Sequence, residues 1–210
     1  MKTYYVPIVG TWGGEWARSD SPFAQYLASC DFAPVFREPL DWTGDVDWLS
    51  FGRRRHRDWR AGASALSYYL NPPKPVDDAW RSTYVPILAR NAIAHSHGGQ
   101  VALYACADHD LKLRTLVTIG TPIRKDMADV AARAAKNIRR WMHLRSDRSD
   151  LWQLFGAIGD GRVGAYRDFP IAGVVNHAIP GIGHSGILER PEWFHLWEDQ
   201  GWLDAIRKAA

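Results

Sequence analysis

The stretch "AIAHSHGGQVALYA", residues 92–105, constrains the fold more than any other. Ala92, Ile93 and Ala94 form the short apolar run of a buried strand. Gln100 to Ala105 contains good helix formers and no breaker. Between them the chain has only a few residues in which to turn from strand to helix. Such a bend tolerates only small side chains two residues before and two after its exposed tip. Ala94 and Gly98 occupy those places around Ser96. This is the G-x-S-x-G elbow with alanine at its first position. A serine held out on such a bend is a candidate nucleophile, whereas the same letters on a solvated turn make only a glycine-rich bend. The choice rests on whether the chain also supplies a base, an acid and an oxyanion hole.

The flanking pattern predicts strands at Tyr4 to Val9, Ala33 to Phe36, Thr115 to Ile119, Arg140 to Ser146 and within "AGVVNHAIPG". Helices are expected from Pro22, with Ser21 as N-cap, and at Trp59 to Leu70, Val76 to Arg90, Gln100 to Asp108 and Asp126 to Ile138. A last helical tail covers Trp193 to Lys208, broken at Gly201. Strands alternating with helices imply an α/β fold, with a mainly parallel central sheet and helices on both faces. The whole chain, residues 1–210, reads as a single compact domain with a Trp-rich insertion at about 37–58. Ligands of such sheets bind beyond the carboxyl ends of the strands, so the chemistry is expected just after them.

A formal net charge of +3 is too mild to argue for nucleic acid. The basic run Gly52 to Arg60 reads as a solvated loop leading into a helix. Two cysteines, Cys30 and Cys106, allow at most one internal disulfide and no metal knuckle. No signal peptide and no membrane-length apolar stretch is read, so the expected location is cytoplasmic, without stable membrane insertion. Eleven tryptophans exceed ordinary use. Those in loops or near segment ends (Trp12, Trp16, Trp42, Trp48, Trp152) are candidates for lining a pocket as much as for filling a core.

A serine hydroxyl needs a base to take its proton during attack, and histidine suits that task near neutral pH. His95 and His97 flank Ser96, but their side chains should diverge from the elbow. His184, in "GIGHSGIL" after the last strand, is the better candidate, with Gly181 and Gly183 allowing a tight path. His177 and His143 read as structural. The base needs a carboxylate to orient it, and "RSDRSDLWQ" offers Asp147 and Asp150. The order Ser, Asp, His excludes the chymotrypsin-like and subtilisin-like arrangements. An oxyanion needs two backbone N–H groups. One is that of His97, and the other falls in "VGTWGGEW", with Thr11 preferred and Trp12 as the alternative.

These pieces resemble a small lipase or esterase of the α/β-hydrolase superfamily. "PIVGTWGG" is similar to its oxyanion loop, "AIAHSHGGQVAL" to its elbow, "TIGTPIR" to the strand and turn that follow, and "GIGHSGIL" to its histidine loop. The resemblance implies a Ser-Asp-His triad and an acyl-enzyme on Ser96, and it favours Asp150 over Asp147 because the family's acid lies a few residues beyond its strand. Val9 stands where many lipases have histidine, and Ala94 replaces the first elbow glycine.

The expected activity is hydrolysis of a carboxylic ester or lipid, with no cofactor and no metal. The substrate pocket is expected near Trp12 and Trp42, with Trp48 and Phe51 beyond. The same triad would equally serve a thioesterase, amidase or acyltransferase. A non-catalytic hydrolase-like binding protein would keep the pocket without the chemistry. A metal-dependent hydrolase would instead take His95 and His97 as ligands, with His177 or His184.

Overall fold

Strands β3 (Asn91–His95) and β4 (Leu113–Ile119) are buried along nearly their whole length because both of their faces are covered. They form the middle of a sheet completed by β1 (Thr3–Ile8), β2 (Phe32–Pro34), β5 (Ile138–Ser146) and β6 (Val174–Ile179). The computed structural model describes residues 2–10, 14–35, 48–70, 90–146 and 168–208. The strand order is β2-β1-β3-β4-β5-β6, and every neighbouring pair is parallel.

The chain runs outward from β1 to β2, then crosses back to β3 and continues through β4, β5 and β6. Right-handed crossovers taken in opposite directions put their helices on opposite faces. Helix α1 (Pro22–Ser29) therefore lies on one face, and α3 (Gly98–Asp108) and α4 (Ala128–Ala135) on the other. Helix α2 (Trp48–Leu70) packs on α3, and α3 on α4. The first face is completed by three short helices, α5 (Gly186–Glu189), α6 (Leu196–Asp199) and α7 (Trp202–Arg207). The Phe23 ring of α1 lies 5.3 Å from that of Phe194 and 5.1 Å from that of Trp197.

Local signals behave largely as read. Ser21 caps α1, its Oγ accepting from the Ala24 N–H at 3.1 Å, and Pro22 opens the helix. The C-terminal tail breaks at Gly201, whose φ is +69°. Two expectations change. Helix α2 begins at Trp48, not Trp59, so the basic run is helical. Its arginines are good helix formers, and Trp59, Ala63, Leu66 and Leu70 make a buried stripe that anchors the helix through Gly52. The helix expected over Asp126 to Ile138 is shorter, a 3-10 turn (Lys125–Met127) and then α4, because Ile138 is drawn into β5 to pair with Leu113. Of the two roles left open for Trp16 it takes the core one, buried against Phe23 and His95.

The expected helix over Val76 to Arg90 lies outside the described residues apart from Arg90. Cys30 and Cys106 are free thiols. Among the described residues no helix is long and apolar enough to cross a membrane. Beyond β5, Arg145 Nε donates to Asp168 Oδ1 at 2.6 Å, and Asn176 of β6 takes the Phe169 N–H on its Oδ1 at 2.8 Å.

Candidate active site

Ser96 follows β3 directly and has φ +52°. An L residue in the left-handed region costs about 1–2 kcal/mol, so the surroundings must impose it. They do so through the backbone and through two close approaches. The Ser96 N–H donates to the Ile119 carbonyl at the end of β4 at 2.8 Å, and the Gly99 N–H returns to the Ser96 carbonyl at 3.1 Å. A Cβ on Gly98 would stand 2.4 Å from the Ile8 carbonyl oxygen and 2.5 Å from that of Val9. A Cβ on Gly99 would meet Thr121 Oγ1 at 2.2 Å. Both glycines are thus demanded by packing. Helix α3 starts at once after His97, and in its first turn the Gln100 N–H bonds the His97 carbonyl at 2.9 Å.

The sheet's direction of winding reverses between β1 and β3, where an α/β sheet opens its ligand crevice. The loop leaving β1 passes hard against the elbow there. A Cβ on Gly10 would lie 2.8 Å from Ser96 Cβ and 3.2 Å from the His95 carbonyl oxygen. Thr11 and Trp12, the candidate second donors, begin one residue later and lie outside the described residues.

His184 arrives at the same end of the sheet. Gly181 and Gly183 take φ +74° and +70°, the left-handed conformations the tight path requires. The imidazole packs over Gly120, whose Cβ would be 3.1 Å from His184 Nδ1. Gly120 directly follows Ile119, the residue that accepts the Ser96 N–H, so Ser96 and His184 converge on the carboxyl end of β4. A contact between the elbow and the His184 loop runs through His95: their rings are 4.8 Å apart, and His95 Nε2 is 3.3 Å from the His184 carbonyl oxygen. His184 also lines a small cleft with Gly120, Leu144, Ser146 and Ile182.

Five of the other histidines have contacts of their own. His95 is 3% exposed. Burial first, then the neighbouring His184 and His97, push its imidazole down to about 3, which makes it a poor proton acceptor. The His97 ring stacks on Trp59, with centroids 5.3 Å apart. His143 is fully buried, with Nδ1 3.0 Å from Thr118 Oγ1. His177 stands edge-on to Trp202, and burial lowers its pKa. His56 bridges Tyr104 Oη at 2.8 Å and Asp126 at 2.9 Å. Asp126 is also held by the Arg124 guanidinium, whose Nε donates at 2.9 Å. Among the described residues no group of three or more His, Cys, Asp or Glu side chains is arranged to hold a metal ion.

Of the other candidate residues, Asp147, Asp150 and Trp42 lie outside the described residues, as do the side chains of Trp48 and Phe51. Ser146, which lines the cleft beside His184, immediately precedes Asp147. Two contributors, Gly10 and Gly120, do not stand out in the sequence. Gly120 directly follows β4 and Gly10 lies two residues beyond β1, each in a glycine-bearing turn, which is the signal that would have found them.

No family model and no curated protein sequence matches this chain. Solved structures do. A predicted CIB-like hydrolase from Thermoplasma acidophilum superposes with a TM-score of 0.57 at 10% identity, over 96% of this chain and 86% of that one. MGS-M1, an alpha/beta hydrolase enzyme from a Medee basin deep-sea metagenome library, has a TM-score of 0.49 at 14% identity, over 98% and 84%. Est1E from Butyrivibrio proteoclasticus, solved with ferulic acid bound, has a TM-score of 0.49 at 13% identity, over 98% and 90%. Together with the parallel sheet and its strand order, the first of these identifies the α/β-hydrolase fold.

Proposed function

We propose that this chain is a serine hydrolase that cleaves carboxylic esters through an acyl-enzyme on Ser96. The observation that carries the reading is the conformation of Ser96: a non-glycine residue at φ +52° between a parallel strand and a helix N-terminus, pressed by Gly10 from the β1 loop. Strain of this kind persists only where surrounding structure over-determines it, and it clusters at active sites. The convergence of the His184 loop on the same strand end supports a partner for it.

In this reading Ser96 Oγ attacks the ester carbonyl while His184 takes its proton. The tetrahedral oxyanion is held by the backbone N–H of His97 and that of Thr11, with Trp12 as the alternative donor. His184 returns the proton to the departing alcohol, leaving an acyl group on Ser96. Water then attacks that acyl group, again with His184 as base, and the carboxylic acid leaves. Asp150, with Asp147 as the alternative, holds the imidazole and stabilises its charged form. Trp12 and Trp42 line the substrate pocket, and short or medium acyl chains or an exposed lipid are the preferred substrates. The chemistry draws on side chains and backbone alone, without metal or organic cofactor.

Reaction with a fluorophosphonate, followed by intact-mass measurement and peptide mapping, tests this directly. A single adduct on Ser96, absent from Ser96→Ala, is expected, together with hydrolysis of p-nitrophenyl esters by the wild type. Folded wild-type protein that takes no adduct would overturn the proposal.

A further inference from the structure

We infer that His95 is a positioning residue, whose Nε2–H donates to the backbone carbonyl of His184 and holds the base loop against the elbow. The inference rests on the reading of Ser96 and His184 as partners, and deepens it.

The tautomer follows from the acceptor. A carbonyl oxygen can only accept, so at 3.3 Å the proton must sit on Nε2. Nδ1 is then a bare lone pair. It is fully buried and has no hydrogen-bond partner among the described residues. It faces the β1 loop, 3.4 Å from where a Cβ of Gly10 would stand. Burying an unmade acceptor costs free energy that an apolar ring of the same shape would not incur. His95 is therefore poorly explained as packing against Trp16, its edge-on neighbour. A donor aimed at the His184 carbonyl explains it.

The contact has a geometric consequence. His184 is held at two places: its carbonyl by His95, and its imidazole by the bare backbone of Gly120. The Gly120 Cβ position is 3.1 Å from both His184 Nδ1 and the His184 carbonyl oxygen. His95 belongs to the same strand end as Ser96. The approach of base to nucleophile is thereby set by the adjoining ends of β3 and β4. Burial keeps the His95 ring neutral, so this link persists through the working pH range.

The test compares wild type with His95→Phe and His95→Gln. The Phe variant keeps a planar ring and removes both ring nitrogens; the Gln variant restores an N–H donor. His95→Phe is expected to melt no lower than wild type and to keep KM for p-nitrophenyl butyrate within about twofold, while kcat per fluorophosphonate-titrated site falls about ten- to a hundredfold. His95→Gln should recover about threefold or more of that loss. Nitrogen-15 imidazole spectra of the wild type should show His95 as the neutral Nε2–H tautomer, unchanged between about pH 5 and 8. An unchanged kcat in His95→Phe, a lowered melting point with normal kcat per active site, or an Nδ1–H tautomer would each overturn the inference. If the wild type takes no fluorophosphonate and cleaves no ester, it is the esterase reading that falls. The tautomer then decides this contact alone: Nε2–H upholds it and Nδ1–H overturns it.

Discussion

Gly10 and Ser96 are in contact across the crevice between β1 and β3, so close that a single added Cβ on Gly10 would stand 2.8 Å from that of Ser96. Neither atom lies at the end of a flexible side chain, so backbone must move to relieve the overlap. Gly10→Ala is expected to destabilise the protein by about 1–3 kcal/mol. It should also lower the rate of fluorophosphonate labelling beyond what the folded fraction explains, because the displaced segments carry the nucleophile and lead into the Thr11 donor. Denaturant titration beside labelling kinetics separates the two effects. A variant with wild-type stability and rate would mean the crevice is looser than this.

The strain at Ser96 can be released without touching the rest of the elbow. Glycine visits the left-handed region freely, although its unfolded chain is more flexible. Ser96→Gly is expected to be as stable as wild type or more so, by up to about 1 kcal/mol, and to be inert to fluorophosphonate. Ser96→Ala should be equally inert and keep the strain. A loss of more than about 1 kcal/mol in the glycine variant would show that the hydroxyl, and not the backbone angle, matters to the fold.

Trp59 joins the elbow to α2. It is fully buried, stacks on His97 and lies under the Arg124 guanidinium, 5.4 Å from its ring centroid. Trp59→Leu should cost roughly 2–4 kcal/mol, read as a lower denaturant midpoint at unchanged slope. Because His97 supplies a proposed oxyanion donor, the variant should also show a reduced kcat in the fraction that remains folded.

Asp126 makes stability depend on pH at the acid end. Burial alone would raise its pKa, but the Arg124 and His56 hydrogen bonds and charges outweigh it and hold the carboxyl down to about 2 from 3.8. A group depressed in the folded state stabilises it above the unfolded pKa, and that contribution is lost as pH falls through the folded one. Asp126→Asn should therefore be less stable than wild type at neutral pH, with the gap closing between about pH 4 and pH 2. The carboxylate side chain is 40% exposed, so screening keeps the difference to about 1 kcal/mol or less. Melting curves at stepped pH give the answer, and a gap constant with pH would contradict it.

Much of this architecture is legible in the sequence, and for local reasons. Buried parallel strands such as Leu113–Ile119 gather β-branched and apolar residues within a short run, and an elbow needs small residues at fixed offsets, so both leave marks a few residues wide. The start of α2 is not legible, because Gly52 and a run of arginines look like a loop until the buried stripe from Trp59 to Leu70 is seen to anchor them. Gly10 and Gly120 escape notice for a different reason. What each excludes, a Cβ beside Ser96 or His184, depends on residues 86 and 64 positions away. The role of His95 is hidden for the same reason, since its partner is a backbone carbonyl 89 residues on.

The ion pair between Arg145 and Asp168 pins together two residues that stand 23 positions apart in the sequence. For a stretch whose two ends are already pinned together, doubling its length costs only about 0.6 kcal/mol in closure entropy. Both acid candidates, Asp147 and Asp150, fall inside it. The elbow and the base loop are instead tied to the end of β4, through Ile119 and Gly120. What lies between Arg145 and Asp168 can therefore change in length at small closure cost while those two residues keep their bond.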